Sequence, residues 1–187
     1  METGNENTNE SQNNAPELQI DPIKWQAFKN DLEGQQNLPL GLIAGMAAAV
    51  IGAIIWAAVT VITKYQIGWL AIGLGALVGL TVGKFGKGIH PTYGVLGAVL
   101  ALASCILGNL LSVCGFLAQQ EAVSFFEVAS SLITQPSAAW TVLKATFDPR
   151  DLLFYGIAMY AGYTYAFRQI TPEEVAALVE ENNNTTS

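Results

Sequence analysis

Side chains that carry enzyme chemistry are scarce in this sequence. It contains one histidine, two cysteines and 15 carboxylates among 187 residues, and no carboxylate lies between Gly34 and Gln120. The apolar middle of the chain therefore lacks an acid–base pair, and no Ser/His/Asp set, Cys/His set or zinc-ligand spacing can be assembled. We predict that the protein is not an enzyme and that it needs no cofactor or metal.

Asn109 is the most polar side chain in this apolar middle, and Ser104 and Ser112 flank it. An amide in hydrocarbon must find hydrogen-bond partners, so Asn109 either bonds neighbouring helices together or lines the path of a solute. If it lines a path, we expect it to face the hydroxyls of Tyr160 or Tyr163.

Small residues spaced by four are the dominant local pattern. They are Gly41 and Gly45, then Gly75, Gly79 and Gly83, and finally Gly97 and Ala101 followed by Ser104, Gly108 and Ser112. Such spacing places small residues on one face of a helix, where two backbones can approach closely. The pattern fits packing within the chain or an interface between subunits. For the stripe from Gly75 to Gly83 we favour packing within the chain, against the first or third apolar stretch.

A glycine-rich turn with two lysines follows the second apolar stretch. Lys84 and Lys87 lie among Gly83, Gly86 and Gly88. Their charges and the backbone N–H groups are suited to the headgroups of anionic lipids. The alternative is a flexible basic turn in which glycine supplies unusual backbone angles.

These residues lie in a chain whose composition is that of a membrane protein. Charged residues make up 12% of it, against about 25% in soluble domains. A bilayer core requires roughly 20 mostly apolar residues per helix, and four stretches fit this length, at about residues 39–63, 67–85, 93–117 and 152–168. The sequence predicts an all-α membrane protein with four transmembrane helices, and its net charge of -7 disfavours nucleic-acid binding.

Other segments flank and interrupt the predicted transmembrane domain, residues 38–170. Residues 1–16 are predicted to be a disordered polar tail, and residues 17–37 a juxtamembrane amphipathic helix. Two short interfacial helices, separated at Gln135 and Pro136, are predicted within residues 119–147. Residues 171–187 are predicted to form a short acidic helix and a tail, the helix beginning at a capping box.

Four spans place both termini on one side of the membrane. With the N-terminus inside, that side holds five Lys and Arg residues and the other side holds three. This bias predicts a multi-pass inner-membrane protein with both termini in the cytoplasm.

Several strings resemble a group of uncharacterised bacterial four-span inner-membrane proteins. They are Thr-Lys-Tyr-Gln-Ile-Gly-Trp from Thr63, Gly-Lys-Phe-Gly-Lys-Gly from Gly83, Leu-Ala-Ser-Cys-Ile-Leu-Gly-Asn from Leu102 and Asp-Leu-Leu-Phe-Tyr-Gly from Asp151. The resemblance covers about residues 38–168. It implies a bacterial inner-membrane setting and transfers no activity or functional residue.

The function predicted from these observations is that of a small, non-catalytic polytopic membrane protein. It would act by packing with itself or with membrane partners in the lipid bilayer. The alternative is a small passive channel or carrier for a neutral solute or a lipid, because no ionisable residue lies inside a span to relay protons.

Overall fold

The computed structural model describes residues 22–65, 67–146, 148–174 and 176–177. Within these ranges the secondary structure is helical without strands, so the predicted all-α class is confirmed for them. The helices are α1 (Pro22–Gly34), α2 (Leu38–Thr63), α3 (Trp69–Gly86), α4 (Pro91–Gln120), α5 (Phe125–Thr134), α6 (Pro136–Thr146) and α7 (Pro149–Tyr165). By length and composition, α2, α3 and α4 are able to cross a membrane.

The described residues between 30 and 169 form one compact unit, and those before residue 30 and after residue 169 form a second. In the first unit, α3 and α4 contact each other, and each also contacts both α2 and α7. We call α2, α3, α4 and α7 the four-helix body. Gly41 lies against Gly86, and Gly52 lies against Leu74, so α2 and α3 are antiparallel.

The other directions in the body follow from similar contacts. Gly75 lies beside Ala158 and Gly83 beside Phe167, so α3 and α7 are parallel. Gly45 meets Leu100 while Gly115 meets Val61, which makes α2 and α4 parallel as well. Consecutive helices of the body therefore alternate in direction.

The body buries small residues and exposes large aliphatic ones. Ala53, Ala71, Val78, Ala101 and Ala158 are fully buried. The exposed side chains of α2, α3 and α4 include Ile43, Ile51, Ile55, Ile62, Leu80, Val95 and Val99. An outer surface of aliphatic side chains is suited to lipid rather than water, because large exposed apolar patches are rare on soluble monomers.

The turn between α3 and α4 differs from the prediction. No described glycine has a positive φ, and Lys87 adopts the left-handed conformation instead, with φ 49°. The expectation that glycine supplies the unusual backbone angle there is therefore wrong. Gly86 and Gly88 are required for space, because a Cβ on either would collide with the ring of Tyr93.

The flanking segments are described only in part. Residues 1–21 and 178–187 lie outside the described residues, and with them the predicted polar tail, the start of the juxtamembrane helix and the C-terminal tail. In α1, the rings of Trp25 and Phe28 lie 5.9 Å apart. The capping box at Thr171 is present: the N–H of Thr171 donates to the Glu174 carboxylate at 3.0 Å, and the N–H of Glu174 donates to the Thr171 hydroxyl at 3.3 Å.

Candidate functional site

The glycine stripe of α3 lies directly against the backbone of α7. A Cβ on Gly79 would lie 2.7 Å from the carbonyl oxygen of Gly162, and one on Gly83 would lie 3.0 Å from that of Phe167. Gly75 meets the backbone of Ala158 in the same way. The stripe therefore packs within the chain, but the expected neighbours, the first or third apolar stretch, are wrong.

The other predicted small residues also lie at contacts within the body. A Cβ on Gly41 would lie 3.0 Å from Cα of Gly86, and one on Gly45 would lie 2.6 Å from the side chain of Val82. Gly97 contacts the backbone of Gly162, and Gly108 contacts the indole of Trp56. The structure thus brings these glycines together inside one chain and leaves none of them facing outward.

Sequence reasoning missed the small residues of α7. Ala158, Gly162 and Ala166 are spaced by four and form the surface that receives both α3 and α4. This is the same pattern that was used for the other helices, so it could have been found.

Two buried serines bond to backbone carbonyls. The hydroxyl of Ser104 donates to the carbonyl of Ala49 on α2 at 2.8 Å, and the hydroxyl of Ser112 donates to Gly108 in its own helix at 2.8 Å. The bond from Ser104 joins α4 to α2, whereas that of Ser112 stays local. Neither hydroxyl is left to line a path.

The partner expected for Asn109 is wrong. Its Nδ2 donates to the hydroxyl of Tyr155 at 3.3 Å, and both residues are buried. Tyr163 lies instead beside Gly94, 15 residues earlier in α4, which is about 22 Å along the helix axis from Asn109. Because α4 and α7 are antiparallel, only the beginning of α7 reaches the level of Asn109.

Tyr160 points outward from α7, next to an exposed glycine of the same helix. Its side chain is 73% exposed, and its hydroxyl makes no hydrogen bond within the part of the chain that the structure describes. Gly156 lies one helical turn before Tyr160 and has no atom within 4 Å of an added Cβ, so the outer surface of α7 is recessed there. Gly73 of α3 is open in the same way, but it lies two residues before Gly75 and therefore on the side of α3 that faces away from α7. We call the surface formed by Gly156 and Tyr160 the outer α7 face.

Two apolar grooves lie near the end of the body that carries α5 and α6. The first, about 400 Å³, lies between α4 and the α5–α6 pair, and we call it the α4–α6 groove. The second, about 620 Å³, lies between α2 and α4 beside Phe125, and we call it the α2–α4 groove. Leu107 and Leu111 of α4 line both grooves, so the two grooves adjoin each other along these residues.

The basic turn lies at the opposite end of the body. The carbonyls of Gly86 and Gly88 accept from the backbone N–H groups of Asn37 and Arg168, both at 2.9 Å. Lys84 and Lys87 are exposed, and neither forms an ion pair with another described residue. The turn therefore presents two charges on a backbone that the protein itself holds in place.

The start of α7 is held by a carboxylate pair. The side chain of Asp148 accepts from the N–H of Arg150 at 2.9 Å, and Asp151 accepts from the N–H of Asp148 at 3.1 Å. The Arg150 guanidinium also lies 2.8 Å from Asp148, and these hydrogen bonds lower the pKa of Asp148 to about 2.

Other reactive side chains are not gathered into a centre within the described residues. No three His, Cys, Asp or Glu side chains there lie close enough to hold a metal ion. Cys105 and Cys114 are buried, free thiols. His90 lies 3.8 Å from Glu33 at the surface.

Comparison with known proteins adds no family. Searches against protein-family models, curated proteins and solved structures found no match to the chain. The functional argument therefore depends on the residues themselves.

Proposed function

We propose that this chain is a non-catalytic, four-span membrane protein that acts by packing with itself or with membrane partners through its outer α7 face. The observation that carries the proposal is the exposed Tyr160 one helical turn after the open Gly156. The setting we propose is a bacterial inner membrane with both termini in the cytoplasm, consistent with the five-to-three distribution of Lys and Arg.

Support for α7 as the fourth span comes from its register with α3. α3 is long and apolar enough to cross a membrane, and α7 lies alongside it from Phe154 beside Gly68, which precedes α3, to Tyr165 beside Gly79. The 17 residues of α7 extend about 26 Å, close to the roughly 30 Å of a bilayer core. A helix in contact with α3 over this whole length would lie in the same hydrocarbon layer.

The membrane depth of Tyr160 favours a protein neighbour over lipid. Ala158 lies beside Gly75 and Gly162 beside Gly79, so Tyr160 lies near the middle of α3. A phenol hydroxyl exposed to hydrocarbon without a partner costs a few kcal/mol. A helix from another subunit would supply that partner, and Gly156 would allow its backbone to approach closely.

The test is the assembly state of Gly156→Leu in mild detergent, measured by size-exclusion chromatography with light scattering. We expect the wild-type protein to form an oligomer and Gly156→Leu to dissociate it without lowering the melting temperature. Ala47→Leu is the matched control, because Ala47 is exposed on α2. If Gly156→Leu assembles like wild type, and a photo-crosslinker at position 156 captures no membrane protein, the proposal fails.

A passive channel or carrier is the alternative. It requires polar groups along a path, and Asn109 is the residue best suited to line one. Solute flux into liposomes that Asn109→Leu abolishes while the fold is retained would favour it.

A further inference from the structure

We infer that the α4–α6 groove binds one phospholipid, with an acyl chain in the groove and the phosphate at Lys144. This site lies on a different part of the molecule from the outer α7 face and is independent of the role of that face.

The walls of the groove suit a hydrocarbon chain. They are formed by Ile106 and Leu110 of α4, Leu132 and Ile133 of α5, and Trp140 of α6. Its volume of about 400 Å³ is within the range of sites for small molecules. Because its lining side chains are apolar, apart from one thiol, an occupant with unpaired polar groups would lose hydrogen bonds on entering.

The direction of the groove suits a lipid that stands in a bilayer. Its α4 wall extends from Ile106 to Cys114, which is about 12 Å along the helix axis. These residues belong to a helix long and apolar enough to cross a membrane. An acyl chain that lies along α4 would therefore remain parallel to its neighbours in the bilayer.

A cation lies at the rim, where the headgroup of such a lipid would be. The ammonium of Lys144 lies 5.0 Å from the ring centroid of Trp140, and Trp140 lines the groove while 58% exposed. An aromatic ring and a lysine together are typical of the membrane–water interface. The ammonium has three donors, so a phosphate can bind to it while the ring contact is kept.

The α2–α4 groove provides an internal contrast. It is also apolar and is larger, about 620 Å³. Neither groove has a basic residue in its lining, but only the α4–α6 groove is lined by a ring, that of Trp140, which is in contact with a lysine ammonium. Charge complementarity with a phosphate therefore selects the α4–α6 groove, although both grooves offer apolar walls.

The experiment is native mass spectrometry of the full chain in detergent, with added dioleoyl phosphatidylglycerol. We expect one lipid to be retained per chain. Lys144→Gln removes the positive charge that is proposed to bind the phosphate, and it should weaken lipid retention about fivefold. Ala129→Leu adds methylene groups inside the groove and should weaken it about tenfold.

Two matched variants separate this site from nonspecific lipid contact. Ala58→Leu fills the α2–α4 groove, and Lys64→Gln removes an exposed charge just after α2, near that groove; neither should change retention. A melting curve for each variant establishes that it is folded. Equal losses from Ala58→Leu and Ala129→Leu would overturn the inference. Unchanged lipid retention in both Lys144→Gln and Ala129→Leu would also overturn it. Dissociation of an oligomer by Ala129→Leu would overturn it as well, because a second copy of the chain would then be the occupant of the groove.

Discussion

The helices of the four-helix body meet backbone against backbone, whereas α5 and α6 meet α4 through long side chains. Gly97 and Gly162 touch without an intervening side chain, whereas Leu132 and Trp140 stand between α4 and the helices beside it. The glycine contacts of the body leave no room for added volume, whereas the contact of α4 with α5 and α6 leaves a groove of about 400 Å³. The same apolar composition therefore yields glycine contacts that are intolerant of larger residues and an α5–α6 end that accepts them.

The largest expected effect is that of Gly79→Leu in the body. The added side chain would collide with the carbonyl of Gly162, and since backbone cannot move aside cheaply, we expect a loss of about 3 kcal/mol or more in the free energy of unfolding. The measurement is thermal and denaturant unfolding in detergent, together with the yield of folded protein.

Two controls make this prediction specific. Gly73→Leu adds the same side chain on the outward surface of α3, where no atom lies within 4 Å of an added Cβ, and should leave monomer stability close to wild type. Ala129→Leu adds volume to the α4–α6 groove and should also be tolerated. If Ala129→Leu destabilises the protein as much as Gly79→Leu, the contrast between the body and the α5–α6 end is wrong.

A smaller effect is expected from the polar contact inside the body. Tyr155→Phe removes the hydroxyl that accepts from Asn109, and both residues are buried. We expect a loss of about 1 kcal/mol, because interhelical hydrogen bonds in membrane proteins contribute modestly. A double-mutant cycle with Asn109→Ala measures the coupling, and a coupling energy of zero would show that the two side chains act independently.

A substitution in the link between α4 and α5, unlike the preceding ones, should make the protein more stable. Ala122 has φ 55°, a conformation that costs a residue with a Cβ about 1 kcal/mol. Ala122→Gly should therefore raise the melting temperature. Ala145→Gly, inside helix α6, is the control and should lower it. A lower melting temperature for Ala122→Gly would contradict the assigned backbone conformation.

The smallest expected effect is a loss of stability at the start of α7 when the pH becomes acid. The pKa of Asp148 is lowered to about 2 by Arg150, so its carboxylate stabilises the start of α7 above the ordinary carboxylate pKa. That contribution is lost as pH falls from about 4 toward 2. Arg150→Gln should raise the pKa of Asp148 and move the loss to higher pH. Hydrogen exchange at the start of α7 measures this, and Lys87→Gln should leave the profile unchanged.

Much of the local structure was predictable from residue types alone. The break between α5 and α6 falls at Gln135 and Pro136 as predicted, because proline begins a helix readily and cannot continue one. The start of α7 at Pro149 is explained by Asp148 and Pro149, a cap followed by a proline in the first turn. The positive φ at Lys87 was missed because lysine has no intrinsic preference for it, and contact of Gly86 and Gly88 with Tyr93 fixes the turn.

The sequence by itself determined that the chain is helical and apolar, where its helices begin and end, and which residues are small enough for close helix contact. Those properties depend on side-chain size, hydropathy and capping, which act over a few neighbouring residues. Only the tertiary structure decided that the stripe of Gly75, Gly79 and Gly83 meets α7, and that Asn109 bonds to Tyr155. A helix face with the correct spacing can receive any neighbour, and the relative direction and register of whole helices choose which one it meets.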